Sequence, residues 1–111
     1  MFKSSVRSKG DLAGVFECDS EACYFYLYDQ TRPKEHMIVD HIRISERGPD
    51  FQQNEIFIRW DESEKKVGLL IRGQVWAIFD TEAKKKHGGT YVPEGRSPVP
   101  AEFAKSFTGK K

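Results

Sequence analysis

Long hydrophobic segments are missing from this 111-residue chain. No apolar run approaches the roughly 20 residues that a membrane-spanning helix needs, so we expect no association with a membrane. The first residues, MFKSSVRSKGDLAG, lack the apolar central segment of a secretion signal. Hydrophobic residues make up 38% of the chain and aromatic residues 13%, which is too much for a disordered chain. The sequence therefore predicts a soluble cytoplasmic protein.

Cysteine and histidine are scarce, with two and three residues respectively. Two cysteines alone do not make a zinc site, and no histidine spacing supplies the other ligands, so we expect no metal. A tight turn within FECDSEACYFY places Cys18 opposite Cys23 on paired strands. Because a chain without a secretion signal is expected in a reducing compartment, we predict two buried free thiols. A disulfide and a redox or metal role are the alternatives.

The motifs of several enzyme classes are absent. No serine stands in a nucleophile-elbow context, and KKKHGG lacks the spacing and setting of a phosphate-binding loop. We therefore predict no catalytic residues and no cofactor. The alternative is a small enzyme that uses Glu17, Asp40 or Asp80 as an acid or base. Asp40 interrupts an apolar strand face, where a hydrogen-bonded structural acid or a bulge is the simpler interpretation.

Basic charge is in excess only near the C-terminus. The net charge is +1, yet residues 1–83 carry 11 basic and 15 acidic side chains, and residues 84–111 carry seven basic and two acidic. A basic segment with aromatic side chains is typical of nucleic-acid binding, in which tyrosines stack on bases. However, Glu17, Asp19 and Glu21 surround the tyrosines and would repel phosphates. We therefore consider nucleic acid an improbable partner and keep it as an alternative.

Short alternating apolar runs separated by turn residues fill most of the chain. This alternation predicts β-strands, and the links are too short for parallel crossovers. We predict a single domain over residues 1–111, mainly β, with an antiparallel meander of five to seven strands that forms a half-barrel or sandwich. Residues 81–100 are predicted to be mostly loop. Residues 100–107 predict a short C-terminal helix that lays Phe103 and Phe107 on the sheet. The predicted strands are residues 13–18, 23–28, 36–44, 54–60, 66–72 and 75–80.

The strongest local signal is IRGQVW. Because glycine suits the first central position of a type II′ turn, we predict a two-residue loop at Gly73-Gln74. That loop would pair Ile71 with Trp76. Both faces of the resulting hairpin are apolar, so both sides of this part of the sheet need a cover.

Three tyrosines alternate along CYFYLYD. The register that opposes the two cysteines places Tyr24, Tyr26 and Tyr28 on one face together with Glu17. Tyrosine has an apolar body and a polar tip, which suits an interface. We predict that these four residues bind a partner. The alternatives are that the C-terminal segment covers the rings, or that they belong to an ordinary sheet surface.

FECDSEACYFY resembles the phrase Phe-Glu-Asp-Asp-Gly-x-Thr-Gly-Tyr-Phe-Tyr of a family of small bacterial proteins of unknown function. IVDHIRI and LLIRGQVWAIFD are similar to two later segments of that family. The family pattern has Asp and Gly where Cys18 and Cys23 stand, which argues against a function based on cysteine. The resemblance implies a bacterial origin and an intact fold, and it implies no activity. The matching positions are Glu17, Asp19, Tyr24, Tyr26, Asp40 and Asp80.

Together these features predict a non-enzymatic binding protein of bacterial origin. It would contact a protein partner or its own copy, as in a homodimer, through the tyrosine-bearing sheet face. Nucleic-acid binding and an enzymatic use of carboxylates are the two alternatives.

Overall fold

The computed structural model describes residues 1–46, 50–92 and 95–108, and it places eight strands in two antiparallel sheets. The first sheet consists of β1 (Phe2–Val6), β2 (Leu12–Cys18), β3 (Cys23–Asp29) and β4 (Ile38–Ser45). The second sheet consists of β5 (Ile56–Trp60), β6 (Lys66–Ile71), β7 (Gln74–Asp80) and β8 (Lys85–Gly88). Helix α1 (Ala101–Thr108) follows, and short 3-10 turns precede β4 and β5 at Lys34–His36 and Gln53–Glu55. Within each sheet the strands are hydrogen-bonded in sequence order, so both sheets are meanders.

The prediction of a mainly β, antiparallel meander is confirmed, with eight strands instead of five to seven. The six predicted runs are β2 to β7. The two additional strands, β1 and β8, lie at sheet edges. Strand β8 occupies four of residues 81–100, and the other described residues of this segment are turns and loop, as predicted. The sequence of β8, KKHG, is polar and has little apolar alternation, which is tolerated because the strand lies at a sheet edge. The predicted helix is confirmed, one residue further along the chain.

The two sheets stack face to face around one apolar core. Gly14 allows a close approach, because a Cβ atom there would lie 2.7 Å from the side chain of Val67 in the opposite sheet. The ring centroids of Phe25 and Phe79, one from each sheet, are 5.0 Å apart. This arrangement is a sandwich, in which inward side chains alternate along each strand. The core also contains Phe16, Cys23, Ile44, Ile56, Leu69 and Ala77.

Helix α1 covers the outer face of the second sheet. Phe107 is buried there, and its ring lies 3.1 Å from the point where a Cβ atom of Gly68 would stand. Phe103, one turn earlier, is half-buried in the same cluster, so the predicted phenylalanine stripe is confirmed. A helix of two turns is not stable alone in water and depends on this docking. The sheet residues in this cluster are Leu70, Val75 and Ile78.

The β6–β7 hairpin shows that the predicted loop Gly73-Gln74 is wrong. The turn residues are Arg72 and Gly73, with φ angles of 52° and 81°, as a type I′ turn requires. The pairing then slips by one residue, and Trp76 is the extra residue of a β-bulge. Trp76 therefore faces the core between the sheets, while Ile78 faces the helix.

Side chains join the two sheets along both open sides of the sandwich. On one side, the ammonium of Lys3 donates a hydrogen bond of 2.7 Å to the carbonyl oxygen of Ile56. On the other side, the ammonium of Lys86 lies 2.9 Å from a carboxylate oxygen of Asp40. These contacts connect the edge strands β1 and β5, and β4 and β8, which are not hydrogen-bonded to each other through their backbones.

Candidate protein-binding face

The β2–β3 hairpin carries the predicted site and has the predicted register. Cys18 pairs with Cys23, and Glu17 pairs with Tyr24. A carboxylate oxygen of Asp19 accepts hydrogen bonds from two backbone N–H groups across the turn, both at 2.8 Å. These hydrogen bonds stabilise the turn, and the turn sets the register in which β2 and β3 pair.

Cys18 and Cys23 form a disulfide, so the prediction of free thiols is wrong. Their Cα atoms are 4.1 Å apart, close to the separation of a non-hydrogen-bonded antiparallel pair. In such a pair the side chains are closer than in its hydrogen-bonded counterpart, which brings the two sulfurs within bonding range. The bridge faces the core, on the opposite side of the hairpin from the tyrosines.

The outer face of the first sheet is built from three cross-strand rows, one centred on each tyrosine. We call it the tyrosine face. The first row is Phe2, Glu17, Tyr24 and Arg43; the second is Ser4, Val15, Tyr26 and His41; the third is Val6, Ala13, Tyr28 and Ile38. The structure thus brings all four predicted residues together on one surface.

Sequence reasoning missed the flanks of this face. Phe2 and Val6 belong to strand β1, which was not predicted, although their spacing at alternate positions was an available signal. On β4, His41 and Arg43 alternate with inward isoleucines. A register shift next to Tyr28 places Ile38 in the third row, and this shift has no signature in the sequence.

The tyrosine rings contact one another along the strand. The ring centroids of Tyr24 and Tyr26 are 5.8 Å apart, and those of Tyr26 and Tyr28 are 6.0 Å apart. The guanidinium of Arg43 lies 5.7 Å from the Tyr24 ring centroid, and the His41 ring lies 6.1 Å from it. The three rings are therefore half-buried by their own neighbours and form a continuous aromatic row.

No cover from the C-terminal helix lies over this row, because α1 packs on the second sheet. The alternative in which the C-terminal segment shields the rings is therefore wrong for the described residues. Around the tyrosines, Phe2 is 54% exposed, Val6 is 47% exposed and Ile38 is 51% exposed. Large apolar side chains thus extend the aromatic row towards both edges of the sheet.

Charge on the tyrosine face is divided between its two flanks. Glu17, on β2, is exposed, and its side chain forms no ion pair within the described part of the chain. Arg43, on β4, forms an exposed ion pair of 2.9 Å with Glu46. Partial burial, reinforced by the charge of Glu17, raises the pKa of Tyr26 and of Tyr28. Both phenols therefore remain neutral at neutral pH and can donate hydrogen bonds.

The carboxylates of the enzymatic alternative lie in separate environments. Partial burial raises the pKa of Asp40, but hydrogen bonds from Lys86 and from the N–H of His41 outweigh it, so the pKa is lower than usual. A carboxylate oxygen of Asp80 accepts hydrogen bonds from the backbone N–H groups of Glu82 and Ala83, at 3.1 and 3.0 Å. Glu17 stands on the tyrosine face. Asp40 is thus a hydrogen-bonded acid beside a bulge, as its sequence context suggested.

The features required by the nucleic-acid alternative are also apart. Helix α1 and the tyrosine face lie on opposite outer sides of the sandwich. Lys86 of the basic segment points to Asp40, and the ring of His87 stacks on Phe103 at 4.4 Å. Within the described ranges, no group of three or more His, Cys, Asp or Glu residues is arranged to hold a metal ion.

The fold is a two-sheet antiparallel sandwich, and none of the described segments of the chain covers the outer face of the first sheet. Over residues 1–104 the chain matches the family described as "Uncharacterized protein conserved in bacteria (DUF2251)", and it therefore belongs to that bacterial family. The resemblance seen in the sequence is confirmed at this level. No curated protein and no solved structure gives a significant match. None of the helices in the described segments has the length and apolar character needed to cross a membrane.

Proposed function

We propose that this protein is a non-enzymatic binding protein of the bacterial cytoplasm, which contacts a protein partner or its own copy through the tyrosine face. Tyr24, Tyr26 and Tyr28 form the centre of the contact, and Glu17 lies at its polar rim. The observation that supports this most is the uneven covering of the sandwich: a helix lies on the second sheet, while the part of the chain that the structure describes places no element over the aromatic face of the first sheet.

The composition of the face supports a protein partner in particular. Aromatic side chains and arginine are enriched in the buried centres of protein interfaces, and they contribute most of the binding energy. The acidic side chains of Glu17, Asp19 and Glu21 at one end oppose contact with a phosphate backbone. Half-buried rings also lose little conformational freedom on binding, since their neighbours already hold them.

The test compares three immobilised full-length chains in a bacterial lysate: the wild type, Tyr26→Glu, and Phe57→Glu. Phe57 is a matched control, an aromatic residue on a strand of the second sheet that is 43% exposed. We expect the wild type and Phe57→Glu to retain the same protein in stoichiometric amount. An untagged copy of the chain itself counts as such a protein. Tyr26→Glu should lose it, because burying an unpaired carboxylate costs at least about 2 kcal/mol.

Retention of identical proteins by all three chains would contradict the proposed face. Retention of nucleic acid that is lost at moderate salt would instead support the nucleic-acid alternative, since phosphate contacts depend steeply on ionic strength.

A further inference from the structure

We propose that the partner bound by the tyrosine face is a second copy of this chain, related by a two-fold axis that runs parallel to strand β3. This inference rests on the function proposed above and specifies its partner. It follows from how charge and apolar side chains are distributed over the three rows of the face.

The distribution of charge is unequal in two directions. Across the strands, the acid Glu17 lies on the β2 side of the tyrosines, and Arg43 and His41 lie on the β4 side. Along the strands, the first row contains both Glu17 and Arg43, whereas the third row is entirely apolar apart from the hydroxyl of Tyr28. A surface of this kind matches itself in one orientation only.

A two-fold axis parallel to β3 exchanges the two flanks and keeps each row at its own level. Glu17 of each copy then faces the flank of the other copy that bears Arg43, and this contact occurs twice by symmetry. The third rows also meet each other, so that Val6 of one copy lies over the flank bearing Ile38 of the other. Opposite charges and apolar groups are thus matched at once.

An axis perpendicular to the strands gives a poorer match. It would exchange the first and third rows, which places Glu17 and Arg43 against the apolar third row of the other copy. Both charges would lose water without gaining a partner, at a high cost in free energy. Electrostatics therefore selects the axis parallel to β3.

The existing contacts of the two charged residues do not oppose this arrangement. Glu17 has no ion-pair partner in the described part of its own chain. Arg43 and Glu46 are 56% and 76% exposed, and an exposed pair of this kind contributes little to stability. Arg43 can therefore reorient towards a second copy at little cost.

The test is a charge exchange between two variants, Glu17→Arg and Arg43→Glu, with molecular mass measured in solution. We expect the wild type to be a dimer. Each variant alone should dissociate on the order of 100-fold more readily, because like charges then face each other twice. Mixed in equal amounts, the two variants should form a dimer that contains one copy of each, since every like-charge contact becomes an opposite-charge one.

This design includes its own folding control, because a variant that misfolds cannot be rescued by mixing. A wild type that is monomeric overturns the proposal, as do single variants that dimerise like the wild type and a mixture that stays monomeric. If the wild type is monomeric while Tyr26→Glu still loses a different stoichiometric protein from the lysate, the second copy is the wrong partner and the protein-binding function stands.

Discussion

Cys18 and Cys23 illustrate how a single pair of residues escapes sequence-based reasoning. Their cross-strand register was predictable from the turn between them, and it is confirmed. The bond was not predicted, because the usual Cβ separation of a cross-strand pair is larger than that of a disulfide and a reducing compartment was expected. A close antiparallel pair needs little rearrangement to form a disulfide, whatever its location in the cell.

We predict that the purified protein, denatured without reductant, has no titratable thiol. Addition of a reductant should lower the free energy of unfolding by about 2 kcal/mol, the chain-entropy value for a loop of this small size. The measurement is denaturant unfolding with and without reductant, and the Cys18→Ala/Cys23→Ala double variant should not respond. Two titratable thiols in the untreated protein would show that the bond is absent.

Asp11 is the residue whose titration is most clearly expected to make the stability of the protein depend on pH. Arg7 donates two hydrogen bonds to its carboxylate, at 2.7 and 2.8 Å, and they hold the pKa of Asp11 well below its usual value. A carboxyl group whose pKa is lowered by folding stabilises the folded state above its unfolded pKa of about 3.9. That stabilisation is lost as the pH falls through the folded pKa.

The free energy of unfolding of the wild type should therefore exceed that of Asp11→Asn at neutral pH. The difference should stay constant down to about pH 4 and shrink at lower pH. In an Arg7→Ala background the same substitution should have a much smaller effect, because the hydrogen-bonding partner is gone. A difference that is independent of pH would contradict the role assigned to the pair.

At the level of secondary-structure elements, helix α1 depends on one aromatic contact. Phe107 is 5% exposed, in the cluster between the helix and the second sheet. We predict that Phe107→Ala lowers the free energy of unfolding by about 3 kcal/mol, through lost burial and the cavity that it leaves. Lys105→Ala, an exposed site on the same helix, is the control. Equal denaturant midpoints for the two variants would show that the helix does not dock through Phe107.

Some of the strands and turns could be predicted from the sequence pattern, and others could not. Strands β2 to β7 were predictable because their apolar residues either alternate along the strand or, in β6 and β7, fill both faces. Strand β8 was missed because its sequence, KKHG, is short and polar, whereas β1 was missed although Phe2 and Val6 stand at alternate positions. The β6–β7 loop was misplaced by one residue because Gly73 suits more than one turn type. The bulge at Trp76 depends on packing against the other sheet.

The candidate site shows the same division. The central row of Tyr24, Tyr26 and Tyr28 followed from alternation within one hairpin. The flanks required knowledge of which strands lie beside that hairpin, and pairing between strands is a property of the whole fold. Phe2 is 22 positions before Tyr24 in the sequence, yet the two residues share a row through two successive strand pairings.

At the scale of the whole molecule, the helix and the tyrosine face, which we propose to bind a partner, lie on opposite sides of the sandwich. One side carries the helix, which completes a second small core on the outer surface of the second sheet. The other side keeps its aromatic and charged residues accessible, supported from below by the core between the sheets. Substitutions of exposed residues on the tyrosine face should therefore test the proposed binding with little loss of fold, which is why the charge exchange between Glu17 and Arg43 is a practical experiment.

The strictly sequential pairing of the strands also leads to an expectation about how the chain folds. Since every backbone ladder joins neighbours in sequence, each sheet forms by closing short loops, and the entropy lost at each step is small. The step that joins distant parts of the chain is the stacking of one meander on the other, where Phe25 meets Phe79. We expect this docking to limit the rate of folding, so truncating Phe25 or Phe79 should slow refolding measured by stopped-flow dilution from denaturant. Changes on the tyrosine face, which is not part of that encounter, should affect only the rate of unfolding.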